Sequence, residues 1–155
     1  MRLSFYMVAD ATTLGQVDGQ LPKLLAKLLE LGERVELRCP DEARADRLSD
    51  LIWKTPPTGF TPHAAQHQQE FADIDASKHP LYITHKAGNP SKAQVLVRLS
   101  GADETIEGYA EVLEIFSGLE ADKAAARERW RKAKEIKGAE QRYFALEKGR
   151  WQKKA

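Results

Sequence analysis

His63 and His67 stand four residues apart, the spacing that can put two imidazoles on one helical face within reach of a metal. Pro62 directly precedes the pair, and neither an HExxH pattern nor a cysteine pair accompanies it, so both read as polar loop surface. Cys39 is the only cysteine, which excludes an internal disulfide. It closes an apolar stretch just before Pro40, where a buried, inert thiol fits better than a nucleophile. Asp10, Asp73 and Asp75 are single carboxylates with no matching second group in a defined motif. The loop Ala9-Asp10-Ala11-Thr12-Thr13-Leu14-Gly15 lacks a glycine-rich phosphate cradle and a Lys-Ser/Thr pair. Lys86-Ala87-Gly88-Asn89-Pro90-Ser91-Lys92 lies between two expected strands, without a helix N-terminus to favour an anion. The expectation is a protein with no catalytic residues, no metal and no cofactor.

Two groupings suit binding instead. Trp53 and Phe60 flank a stretch stiffened by Pro56 and Pro57, and aromatics on stiff backbone lose little entropy on binding. The edge of the core would equally account for them. The second grouping is Lys123, Arg127, Trp130, Arg131, Lys134 and Lys137, which at 100° per residue fall on one side of a helix. Ala125, Ala126, Ala133 and Ile136 fall to the other side and are expected to face the core. Such a stripe suits phosphates or an acidic peptide, and Phe116 just before it could wall an apolar slot.

The elements that must position these groups follow from periodicity. Leu3–Val8, Arg34–Cys39, Leu81–Thr84, Val95–Leu99 and Glu111–Phe116 read as strands. Val17, Leu21, Leu24, Leu25 and Leu28 recur at helical spacing, with Pro22 in the first turn and Gly32 past the end. Asp41 caps a second helix whose apolar face is Leu48, Leu51 and Ile52. A short helix is expected at Asp103–Gly108 and a strong one at Ala121–Lys137. Residues 55–78 read as a loop, and Gln141–Ala155 as a basic, aromatic stretch, helical or partly disordered. Strand-helix-strand order points to an α/β fold with a mostly parallel sheet flanked by helices. Mean composition is that of a globular chain, with 42% hydrophobic and 30% charged residues, and no apolar run is long enough to span a membrane. A cytoplasmic location is expected. The net charge of +1 hides an asymmetry: residues 121–155 hold 12 Lys/Arg against 5 Asp/Glu, a partner-facing excess of +7.

The order of these pieces resembles the chi subunits of bacterial DNA polymerase III. The likeness runs through the Phe5-Tyr6 strand, the Thr12-Thr13 loop and Gly32-Glu33-Arg34-Val35. It is most specific at Trp53…Pro56…Phe60…Pro62-His63, and continues through Val95–Leu99 to Ala126-Arg127-Glu128-Arg129-Trp130. It implies one Rossmann-like domain over residues 1–140, with 141–155 as a basic C-terminal extension. It implies a non-catalytic replication subunit linking the clamp loader to single-stranded DNA-binding protein. Trp53 and Phe60 would then meet psi, or another replication or repair protein in its place. Phe116, Lys123, Arg127, Trp130 and Arg131 would hold the acidic C-terminal tail of single-stranded DNA-binding protein. Residues 66–78 and the end after Lys137 depart from the pattern. Two alternatives remain: a direct single-stranded nucleic-acid binder using the basic helix, and a nucleotide-dependent enzyme.

Overall fold

The computed structural model describes residues 1–54, 64–65 and 80–155, and of Leu14, Trp53, Lys54, Ala64 and Ala65 the backbone alone. The chain runs β1 Arg2–Val8, α1 Leu14–Asp18, α2 Leu21–Glu30, β2 Val35–Arg38, α3 Glu42–Lys54, β3 Ala64–Ala65, β4 Leu81–Thr84, β5 Val95–Leu99, β6 Glu111–Ser117, α4 Glu120–Ala133, β7 Glu140–Glu147 and β8 Arg150–Lys153. The strands form one sheet in the order β3-β4-β2-β5-β6-β1-β7-β8. Every pairing is parallel except β7 with β8. The fold is the α/β, mostly parallel, Rossmann-like domain expected.

Alternation along the strands sends side chains to two cores. Val35, Leu37, Val95, Val97, Leu113 and Ile115 meet Leu21, Leu25, Leu48 and Ile52 of α2 and α3. Leu3, Phe5, Leu96, Val112 and Phe116 meet Ala126 and Ala133 of α4 on the opposite face. The helix stops fall where expected: the Gly32 and Glu33 N–H groups bond Leu29 O and Leu28 O, closing α2. Asp41 Oδ1 accepts the Arg44 N–H at 2.8 Å, capping α3.

Three expectations fail. Asp103–Gly108 is irregular, because its carbonyls serve a buried cation: Arg38 Nη1 donates to Asp103 O and Thr105 O. Arg38 and Glu36 are both 0% exposed, bonded to each other and to Tyr109 Oη. Burial raises the Glu36 carboxyl, with Tyr109 and Arg38 pulling it back. The α4 helix ends at Ala133, since Lys134, Glu135 and Ile136 turn into tighter bonds to Arg131, Lys132 and Ala133. Residues 140–153 are neither helical nor disordered. They form a hairpin that extends the sheet beside β1, turned by Lys148 (φ 52°) and Gly149 (φ 76°).

Candidate peptide-binding pocket

The α4 helix carries the site, and buried polar groups fix where it starts. Asp122 accepts from Ser117 Oγ at 2.5 Å and Ser100 Oγ at 3.1 Å, while Ser117 Oγ accepts the Leu119 N–H. Glu120 and Asp122 in the first turn and Arg131 and Lys132 in the last match the helix dipole. One side of α4 is pinned to the sheet through a buried triad in which Arg98 and Arg129 both donate to Glu114. Burial, then Arg129, draws the Arg98 guanidinium down to about 10.

The other side of α4 faces β7 across an open cavity of about 330 Å³ lined by Lys123, Ala126, Arg127, Trp130, Tyr143 and Ala155. Lys123, Arg127 and Trp130 are spaced to share this side. Trp130 is half-buried, edge-on to Phe5 at 5.1 Å and to Tyr143 at 6.0 Å. Gln141 Nε2 bonds Trp130 O at 2.8 Å and ties the helix to β7. The Tyr143 hydroxyl rests on Met7 Sδ at 3.4 Å. Burial raises the Tyr143 phenol, while Arg127 and Lys123 pull it down, so both cations stand near this wall. Lys123 is paired with Glu120 at 2.8 Å. Arg127 has no ion pair among the described residues. The result is an apolar slot with an uncommitted guanidinium at its rim.

The expected site residues are only partly brought together. Lys123, Arg127 and Trp130 line the slot. Phe116 is buried behind it, 6.3 Å from the Tyr143 ring, so it supports the wall instead of forming it. Arg131 pairs with Glu128 and does not line the cavity. Lys134 and Lys137 lie past the α-helix. Of the alanines and Ile136, only Ala126 and Ala133 are buried; Ala125 is exposed and Ile136 is 36% exposed. Tyr143 and Ala155 are the wall that sequence reasoning missed. Its signal was the apolar run Tyr143-Phe144-Ala145-Leu146 followed by Lys148-Gly149, a strand leading into a turn. Trp53 lies in the last turn of α3, while Phe60, His63 and His67 lie outside the described residues.

At the carboxyl end of β1, where α/β sheets commonly take nucleotides, local groups use up the donors. Gln16 Oε1 accepts the Thr12 and Thr13 N–H groups at 2.7 and 3.2 Å, and Thr13 Oγ1 accepts the Gln16 N–H. The loops after β1 and β6 also touch: a Cβ on Gly118 would lie 2.1 Å from Ala9 O. Cys39 is 0% exposed and its thiol is pushed up to about 12 by burial. No cluster that could hold a metal occurs among the described residues.

A model of the family described as "DNA polymerase III chi subunit, HolC" matches residues 1–140. The chain belongs to that family. It is 26% identical over 133 residues to the DNA polymerase III subunit chi of Escherichia coli (strain K12), covering 83% of this chain and 87% of that protein. Membership of the chi family places the chain among subunits of a replicative DNA polymerase. The match stops at residue 140, just where β7 begins, so the Tyr143 wall lies beyond the matched span.

Proposed function

We propose that this chi-family protein is a non-catalytic adaptor of DNA polymerase III whose α4–β7 slot holds the acidic C-terminal tail of single-stranded DNA-binding protein. One observation carries the reading: Arg127, with no ion pair among the described residues, stands beside the apolar slot of Ala126, Trp130 and Tyr143. A peptide ending in an apolar residue offers the complement, its side chain for the slot and its carboxylate for the guanidinium. Lys123 attracts acidic residues upstream, as does Arg131 from the neighbouring turn. An exposed ion pair contributes only about 0.2–1 kcal/mol, so affinity rests on the apolar anchor and salt dependence on the cations.

The same adaptor would reach the clamp loader through Trp53 and Phe60, bound by psi or by another replication protein. A cytoplasmic location fits this role.

Titration of a fluorescent tail peptide at low and high salt tests the slot. Saturable binding that weakens with salt, and that is lost when the terminal residue is removed, is expected. Binding that ignores the terminal residue would refute the slot. For the second surface, Trp53→Ala should lose the clamp-loader partner and keep the peptide; equal loss of both would make Trp53 structural.

A further inference from the structure

The sheet face opposite the peptide slot is left open at one end. Helices α1, α2 and α3 pack on β6, β2 and β4, and no described helix packs extensively on β7 or β8. On that open end lie Tyr6 of β1, Phe144 of β7 and Trp151 of β8. Tyr6 and Phe144 are stacked at 4.8 Å and 16°, and Trp151 stands edge-on to Tyr6 at 5.1 Å. Arg142 lies over the Phe144 ring at 5.4 Å, and Lys153 is the direct cross-strand neighbour of Phe144. All three rings are half-buried, so each rests on the core and keeps part of its surface in water.

The charge around the rings is mainly positive. Residues 140–155 carry Arg142, Lys148, Arg150, Lys153 and Lys154 against Glu140 and Glu147. Arg142 is shared with Glu111 at 3.1 Å, and Lys154 with Glu147. Lys148, Arg150 and Lys153 are exposed, with no ion pair among the described residues. Aromatic rings on a sheet, set among cations that have no ion pair among the described residues, match unpaired bases joined by phosphates.

We infer that this aromatic face of β1, β7 and β8 binds single-stranded nucleic acid. Bases pack on the solvent-facing parts of this cluster, Trp151 foremost because Phe144 is covered by Tyr6 and Arg142, and Lys153, with Lys148 at the turn, meets the phosphates. Because successive residues of a strand point to opposite faces, Tyr143 serves the peptide slot while Phe144 serves this face. The two ligands therefore do not compete. The surface is distinct from the basic side of α4, which packs on the other face of the sheet.

The test is fluorescence anisotropy of a labelled 20-nucleotide oligothymidylate with the full chain, at about 50 mM and about 200 mM salt. Saturable binding is expected, weaker at the higher salt and weaker for a duplex of the same length. Trp151→Ala should weaken it about tenfold, the typical effect of removing one stacking ring. Lys153→Glu, at an exposed position that leaves the core intact, should weaken it severalfold and flatten the salt dependence. Arg127→Ala and saturating tail peptide should leave it unchanged. Absence of binding by folded protein at low salt would overturn the inference. So would equal affinity for duplex, displacement by the tail peptide, or full affinity in the Lys153→Glu protein.

Discussion

Glu114 is the residue on which the placement of α4 most depends, and Glu114→Gln isolates its role. The carboxylate sits on β6 with a side chain 4% exposed, between Arg98 at 5% and Arg129 of α4 at 12%. Glutamine keeps the shape but not the charge. Its oxygen accepts from one guanidinium while its NH2 group faces the other, donor against donor. Two buried cations then lose the carboxylate they are bonded to, and Glu104, Asp103 and Asp122 act on them only from farther away. Breaking a buried pair this way costs about 3–5 kcal/mol. For a domain of this size each kcal/mol moves the melting temperature by about 2–4 °C, so the expected fall is roughly 6–20 °C. Urea denaturation gives the free energy directly, and scanning fluorimetry gives the shift. Arg98→Met added to Glu114→Gln removes one stranded charge and should restore part of the loss. A Glu114→Gln protein within about 1 kcal/mol of the parent would refute the reasoning, because it would mean that water already reaches the guanidiniums.

Arg127→Ala should lower tail-peptide affinity at least tenfold, as expected for losing a charge-assisted bond, with an unchanged melting temperature; isothermal titration and fluorimetry on one preparation separate the two. Gly118→Ala drives a methyl into Ala9 O, 2.1 Å away, and should destabilise by about 1–3 kcal/mol, seen as a lower urea midpoint; an unshifted midpoint would mean the two loops part freely. Cys39, buried and with its thiol pushed up to about 12, should stay unreactive to a disulfide reagent at pH 8 until the chain is unfolded. Prompt labelling of native protein would show that β2 opens locally.

Periodicity alone determined much of the frame. Leu3–Val8 and Val95–Leu99 could only be buried strands, and the leucines from Leu21 to Leu28 only an amphipathic helix. Lys123, Arg127 and Trp130 share a helical side by spacing, so one half of the slot was legible before any fold was known. The other half was not. Tyr143 lies far along the chain from β1, and nothing local says that β7 pairs there and brings its ring to Trp130. Arg131 has the right spacing but turns to Glu128, a choice made by a neighbour on the same helix. Glu36 and Arg38 are the polar positions of the alternating strand β2, yet both are buried, and Arg38 donates to the carbonyls of 103 and 105. A sequence states which side chains one element can present together. Which of them meet across elements depends on long-range strand pairing, and there tertiary packing decides over local preference.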